Sequence, residues 1–533
     1  MEGKKINPYL PLLYAVLVAF GIVLGMLLTH VGAGIFPRNA EGSGKVNEVI
    51  HYIDDNYVDT VKQSTLEEKA ITGMLQQLDP HSVYIPASEF HAATDPLMGS
   101  FEGIGVQFRI EADTITVINT ISGGPSEKVG IRAGDRIVKI NDTLVAGKKI
   151  TNAEVMKRLK GPKGTEVKVS VYRRGTTGLT DFNITRDVIP TYSLDIAYMA
   201  DATTGYIRLN NFSATTYEEF HKALAGLIDQ GMKKLILDLQ GNGGGYLQAA
   251  ADVANEFLPR GALIVYTEGE HRPREYFYAH EDGLFTNGQV VVLIDEYSAS
   301  ASEIVAGAIQ DNDRGTIIGR RSFGKGLVQE QINFKDGSAI RLTVARYHTP
   351  TGRCIQKPYQ NGDENYFEYY HRAIEGDASV PDSVKFADSL KYRTPKGKIV
   401  YGGGGIYPDI LVPLERDARL AYYTEMINKG MVYRYAFDYT DRHRSELNRF
   451  HTFTAFDRGF SVTPSMMNEL IAYGEKNGIK RAAGDQSRSD RYIRIMLKAY
   501  VGRNVLDNPG FYPYLNEVDP AFQRACVFLG VKK

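Results

Sequence analysis

The 533-residue chain holds only two cysteines, Cys354 and Cys526. That excludes a disulfide framework and any cysteine-rich metal site, and the two are read as unpaired small hydrophobes. An excess of one charge is equally absent. With 62 basic against 63 acidic side chains the formal net charge is -1, so no long-range field gathers nucleic acid, and none is expected as a partner. The 11 histidines include no H-E-x-x-H pair, so no metal is expected. G-x-S-x-G is also missing, which lowers an α/β-hydrolase. What is present is ordinary for folded chains: 43% hydrophobic and 23% charged residues, with 53 glycines for tight turns. A chain of 533 residues is too long for one hydrophobic core, and roughly two to four domains are expected.

The first 40 residues stand apart. Lys4 and Lys5 precede an uncharged stretch from Leu10 to Leu28, about nineteen residues and long enough to cross a bilayer as one helix. A cleavable signal peptide has a shorter apolar centre, although Gly32, Ala33 and Gly34 leave cleavage open. The expected form is an uncleaved anchor. Because the lysines stay in the cytoplasm, the chain after about residue 36 is expected outside it.

Glu41-Gly42-Ser43-Gly44 reads as a short linker. Val46, Val49, Ile50 and Ile53, then Leu66, Ala70, Ile71, Met74, Leu75 and Leu78, recur at helical spacing and predict two amphipathic helices. Asp79-Pro80 ends the second. From about Ser100 to Pro190 short β-branched strands at 115–118, 136–140 and 167–172 are punctuated by glycine, with a helix over 153–159. Here Gly103-Ile104-Gly105-Val106 resembles the carboxylate-binding loop of PDZ domains, and residues 130–137 resemble their central turn and strand. In that arrangement backbone N–H groups hold a C-terminal carboxylate while an exposed sheet edge takes the peptide as an added strand. For Gly103 and Gly105 alone, two turn glycines remain the plainer reading.

From Gly205 to about Tyr347 strands alternate with helices, an α/β pattern. Residues 234–239 lead through Gly241-Asn242-Gly243-Gly244-Gly245 into an Ala-rich helix, and residues 290–295 lead through Tyr297-Ser298-Ala299 into another. Active sites gather where strand C-termini meet helix N-termini, so both crossings are candidates. After Pro413 further helices are predicted, one opened by Thr463-Pro464 and one by Asp490. They carry no motif.

The second crossing holds Ser298-Ala299-Ser300-Ala301-Ser302-Glu303. A serine at a strand-to-helix junction can be exposed beside free backbone N–H groups. Ser300 and Glu303 also form S-x-x-E, the capping box that opens ordinary helices, and on six residues alone that reading is favoured. The segment Gly319 to Gln329 has a decoy as well. Gly319-x-x-x-x-Gly324-Lys325 fits most of a phosphate-binding loop, but Gly326 stands where a Ser or Thr must hold magnesium. The run Gly241–Gly245 lacks the second spacing of G-x-G-x-x-G, since Tyr246 follows.

Joined together, the third serine of Ser-Ala-Ser-Ala-Ser-Glu, the Phe323-Gly324-Lys325-Gly326 whose lysine lies twenty-five residues on, and Gln329 four further resemble the carboxyl-terminal processing peptidases, the tail-specific proteases of peptidase family S41. Residues 78–82, 347–353 and 402–405, with Pro408-Asp409, resemble that family too, so the likeness runs over about residues 45–413. It implies an α/β multidomain fold. An S41 protease core built on an α/β sheet (191–413) carries an inserted PDZ domain (98–190), an N-terminal helical region (41–97), a transmembrane helix (1–40) and an extra C-terminal helical domain (414–533) without assigned role. It implies a serine endopeptidase in which Ser300 is the nucleophile, Lys325 the general base and Gln329 the residue orienting the lysine. Backbone N–H groups of Ala301 and Gly244 would hold the oxyanion, Gly103, Ile104, Gly105 and Val106 the peptide carboxylate, and Asp311, at an acidic position of some members, is read as structural or supporting. No metal or cofactor is implied.

The partners implied are protein or peptide C-termini and, through the one N-terminal helix, the membrane; a homo-oligomer is left open. The location implied is the cell inner membrane, single-pass, with the catalytic domains on the periplasmic side. A lysine acts as base only when neutral. Its ordinary pKa of about 10.4 must therefore be lowered, which full burial does by roughly 3 to 5 units. The alternative from another class is a catalytically silent, membrane-tethered PDZ scaffold that binds peptides without turnover.

Overall fold

A computed structural model describes residues 44–359, 388–414, 417–481 and 486–531. The expected membrane span, residues 10–28, lies outside the described residues; among those described, no helix is long and apolar enough to cross a membrane. Helices α1 (Gly44–Asn56) and α2 (Gln63–Leu75) belong to one compact unit, and the chain from Leu78 onward forms another.

In the second unit, β1 (Val83–Ile85) and α3 (Phe90–Met98) lead to a two-stranded ribbon of β2 (Ser100–Gly103) and β9 (Asp187–Pro190). Between those two strands the chain builds a sheet from β3 (Val106–Glu111), β4 (Thr114–Thr120), β5 (Arg136–Ile140), β6 (Thr143–Leu144), β7 (Glu166–Tyr172) and β8 (Leu179–Thr185). Its order is β3-β4-β5-β7-β8, with β6 on β5, and β3 is an edge. Helices α4 (Pro125–Val129) and α5 (Asn152–Leu159) accompany it. Thr151 and Glu154 form a reciprocal capping box that starts α5. Ile115, Val117, Ile137, Val155 and Val169 form a sealed core of this module.

The largest layer is a sheet ordered β10-β11-β12-β15-β16-β21. Its members are β10 (Leu194–Met199), β11 (Thr204–Leu209), β12 (Lys234–Asp238), β15 (Gln289–Ile294), β16 (Thr316–Gly319) and β21 (Ile410–Leu411). Only the β10–β11 pair is antiparallel. Helices α6 (Thr216–Asp229), α7 (Leu247–Asn255) and α8 (Ala301–Asp311) cover one face. A second sheet joins β13 (Leu263–Gly269), β14 (Arg272–Tyr278), β17 (Leu327–Asn333) and β18 (Ala339–His348) to β1, and a short ribbon pairs β19 (Lys391–Arg393) with β20 (Ile399–Tyr401).

The opposite face of the large sheet is covered by the C-terminal helices. These are α9 (Ala421–Asn428), α10 (Met431–Arg442), α11 (Arg444–Leu447), α12 (Phe453–Gly459), α13 (Pro464–Lys476), α14 (Ser487–Leu506), α15 (Asn508–Val518) and α16 (Pro520–Leu529). Local chemistry starts several of them: Thr463 caps α13 ahead of Pro464, and Asp519 caps α16 ahead of Pro520. Strand side chains then alternate between two cores. Leu235, Leu237, Val290 and Val292 enter the core under α6–α8, while Ile236, Val291, Leu293 and Ile318 enter the core under the C-terminal helices. This double burial explains why β12 and β15 are almost continuously apolar.

Phe522 of α16 meets the sheet edge-to-face at Tyr206, with ring centroids 5.3 Å apart. Truncating a buried aromatic costs roughly 3–5 kcal/mol. Phe522→Ala should lower the unfolding free energy by about that amount in a denaturant titration.

Candidate active site

The site lies where the C-terminal ends of β12 and β15 meet the starts of α7 and α8. After β15 come three alternating serines, and their surroundings separate them. Ser298 Oγ donates to the Leu239 carbonyl and Ser302 Oγ to the Asn242 carbonyl, each at 2.8 Å. Both are sealed from solvent, and both hydroxyls are committed to holding the glycine loop against the helix start. Ser300 is half-buried at the N-cap of α8, with φ 55° and ψ -113°. A non-glycine residue held there stores roughly 1–3 kcal/mol of backbone strain, a pattern that clusters at reactive positions.

The S-x-x-E pattern does more than begin a helix. Glu303 is fully buried, and its Oε2 accepts from the Ser300 N–H at 2.8 Å, the contact expected of a capping box. The same oxygen accepts from the Lys325 N–H at 2.9 Å. Its Oε1 accepts from the Gly324 N–H at 2.8 Å and from Ser322 Oγ at 2.5 Å. Burial pushes the carboxyl up to about 7 against these donors, which favour the anion. A second clamp lies beside it. Tyr347, 1% exposed, points its hydroxyl at both the Lys325 carbonyl (2.7 Å) and the Ser300 carbonyl (3.1 Å).

The Lys325 side chain donates from Nζ to Gln329 Oε1 at 2.9 Å. Burial lowers its pKa from the ordinary 10.5, helped by the nearby Arg341 cation. Gln329 in turn donates from Nε2 to the His81 carbonyl at 2.5 Å. The backbones of Ser300 and Lys325 are thus tied to one carboxylate and one phenol. Among the described residues, no hydrogen bond joins Lys325 Nζ to Ser300 Oγ. Gly324, at φ 90°, is required twice over, since a Cβ there would lie 3.0 Å from the Gly405 nitrogen.

The glycine loop lies against the serine, with its amides unequally engaged. Gly244 sits against the serine: a Cβ on it would lie 2.8 Å from Ser300 Cβ and 2.9 Å from the Ala301 nitrogen. Its own N–H, however, donates to the buried Asn242 Oδ1 at 2.9 Å, which closes the turn and takes that amide away from an oxyanion. Among the described residues, the N–H groups of Ala301, Gly243 and Gly245 take no hydrogen bond. Asp311 lies at the far end of α8, where its carboxylate pairs with the sealed Arg353 at 2.6 Å.

Of the expected carboxylate-binding residues, Gly103 ends strand β2, paired with Asp187, and the loop proper begins at Ile104. Gly105 has φ 73°, and the Ile104 carbonyl is held by Ser126 Oγ at 2.6 Å. Among the described residues, the N–H groups of Ile104 and Gly105 take no hydrogen bond, and Val106 opens the edge strand β3. No hydrogen bond among the described residues links this loop to the Ser300 site.

Comparison with known proteins follows the same division. The profile of peptidase family S41 matches residues 203–364, and that of PDZ domains matches residues 103–184. The N-terminal domain of the activating protease CtpB matches residues 35–88, and a family of unknown function matches residues 422–507. The carboxy-terminal processing protease CtpA of Bacillus subtilis (strain 168) is 34% identical over 355 residues, 65% of this chain and 75% of that protein. The carboxy-terminal-processing protease of Bartonella bacilliformis is 34% identical over 344 residues, 63% of this chain and 78% of that one. The chain belongs to the carboxy-terminal processing proteases of peptidase family S41. Among solved structures, the photosystem II D1 C-terminal processing protease aligns at 30% identity over 58% of this chain and 89% of its own, with a TM-score of 0.35.

For this serine-type peptidase with a PDZ domain, sequence reasoning missed two residues that hold the site, Glu303 as an organiser and Tyr347. The Glu303 signal was visible as S-x-x-E, but a capping box accounts for only one of its four donors. Tyr347→Phe removes a shared donor and leaves two buried carbonyls short of it, at a cost of about 1–3 kcal/mol. Chemical denaturation should show that loss, and kcat should fall several-fold as Ser300 and Lys325 loosen together.

Proposed function

We propose that this S41 peptidase cleaves extracytoplasmic proteins near C-termini captured by its PDZ domain, through an acyl-enzyme on Ser300 formed with Lys325 as general base. The single observation that carries the reading is the state of Lys325. It is largely buried, its Nζ is hydrogen-bonded to a neutral amide, no carboxylate pairs with it among the described residues, and its pKa is lowered. An ammonium placed for structure finds an anion; an amine placed as a base is kept from one.

In the proposed cycle neutral Lys325 takes the Ser300 hydroxyl proton as Oγ attacks the scissile carbonyl. The Ala301 N–H and an amide of the glycine loop, Gly243 or Gly245 in place of Gly244, stabilise the oxyanion. Lys325 then gives the proton to the departing amine, and water returns the serine by the reverse sequence. In the PDZ domain the free Ile104 and Gly105 N–H groups donate to the terminal carboxylate, and the β3 edge pairs with the tail.

Three measurements test this. Ser300→Ala and Lys325→Ala should each lower cleavage of an unstructured protein by roughly three orders of magnitude or more; wild-type-like turnover in either sinks the reading. Because the neutral amine is the active form, activity should rise with pH through the lowered Lys325 pKa and level off below the ordinary 10.5. A rise continuing through the ordinary lysine range would count against burial as the activating device. Amidating the substrate's C-terminus should weaken its binding, and unchanged affinity would remove the PDZ loop from the proposal.

A further inference from the structure

One motif is left unused by this function, Leu78-Asp79-Pro80-His81-Ser82 at the start of β1. It ends against Gln329. The Gln329 side chain donates to the His81 carbonyl at 2.5 Å and accepts from Lys325 Nζ at 2.9 Å. A primary amide has a donor end and an acceptor end, and its partners decide which way it faces. A backbone carbonyl can only accept, so His81 selects the orientation that turns the Gln329 oxygen toward the lysine. The choice matters to a base. With the oxygen facing it, a neutral amine donates to Gln329 and keeps its lone pair for the Ser300 proton. With the nitrogen facing it, the lone pair is consumed by accepting from Gln329.

Asp79 aims that carbonyl. Its buried carboxylate accepts from the N–H groups of His81 (2.8 Å) and Ser82 (2.9 Å), from Ser82 Oγ (2.6 Å) and from Thr343 Oγ1 (3.2 Å). Ser82 Oγ takes the Thr343 N–H at 3.1 Å. Thr343 is the residue that pairs with Gln329 across β17 and β18. The turn is therefore fastened to the strand position facing the side chain it orients. We propose that Asp79 is a positioning residue: by closing this turn it fixes the His81 carbonyl, and so the polarity of the Gln329 amide and the direction of the Lys325 lone pair. The inference rests on the reading of Lys325 as the base.

The charged and titratable groups facing Lys325 are Asp79 and His81 from the turn, Arg341 from β18 and Glu303 from α8. Of these, Asp79 raises the lysine pKa, so removing its charge lowers it. The test uses the full chain with Asp79→Ala, Asp79→Asn and Lys325→Ala. In Asp79→Ala, kcat should fall roughly ten-fold or more while KM stays within about two-fold, because orientation of the base is lost and peptide binding is not. Asp79→Asn keeps an oxygen for the acceptor bonds made by Oδ1. It should recover most of kcat, with the acid limb of the pH profile moved to lower pH. Wild-type kcat in Asp79→Ala overturns the inference, as does Asp79→Asn being equally impaired with an unmoved limb. If Asp79→Ala does not melt cooperatively, the pH limb of Asp79→Asn decides alone, and an unmoved limb overturns the role. Activity in Lys325→Ala would instead overturn the base assignment, so the two failures are distinguishable.

Discussion

The hydrogen bonds of the Glu303 carboxylate hold the site together. A carboxylate taken from water into an interior pays several kcal/mol unless its oxygens are fully met. Here four donors meet it, two on each oxygen, and they come from both halves of the site: Ser300 from the helix start, and Ser322, Gly324 and Lys325 from the loop entering β17. The segments bearing the serine and the lysine adjoin strands of two different sheets, β15 and β17. One buried anion gives them a common reference point, and the Tyr347 hydroxyl gives them a second. The Ser300 and Lys325 side chains can then be oriented by contacts outside the pair, because their backbones are already fixed.

That reference point is useful only if the strand ends beneath it are rigid, and the double-faced sheet supplies this. Apolar residues alternate between a core under α6–α8 and a core under the C-terminal helices, so the apolar side chains on both faces of β12 and β15 are sealed from water. The C-terminal layer also reaches the catalytic rim. Asp519, which caps α16, accepts from Gln240 Nε2 at 2.8 Å, immediately before the glycine loop. Arg208 donates to the Gln240 carbonyl at 2.8 Å and to Asp238, whose carboxylate also takes the Tyr206 hydroxyl. Helices α15 and α16, which follow the residues matching a family of unknown function, are therefore one wall of this sheet.

The same helices meet the PDZ domain through different chemistry. Asp441 of α10, its side chain 7% exposed, lies 3.5 Å from Arg136 and 3.7 Å from Arg174. Arg109 stacks over Tyr433 at 4.5 Å, and Asn119 reaches Asp507 at 3.5 Å. Ion pairs at such distances and partial exposure contribute about 0–1 kcal/mol each, while the apolar contact with the sheet buries whole side chains at roughly 1.5–3 kcal/mol each. One layer thus carries a strong apolar joint and a weak polar one.

This difference bears on what a sequence can disclose. The glycine loop and the PDZ-like strands were legible because each depends on spacing along the chain, strand alternation and turn glycines, whereas the Ser300, Lys325 and Gln329 set was offered only by its resemblance to the peptidase family. The rest depends on who arrives from elsewhere. Glu303 reads as a cap because only its i−3 contact is local; Lys325, Gly324 and Ser322 come from nineteen to twenty-two residues away. The resemblance offered Gly244 as an oxyanion donor, and only the turn that Asn242 closes shows its N–H hydrogen-bonded within the loop. The apolar periodicity of α13 and α14 predicted helices without saying what they cover, since a helix face matches any apolar surface of similar size. The apolar core they share with the sheet takes its other half from β11, β12, β15 and β16, and no pattern within residues 414–533 encodes it.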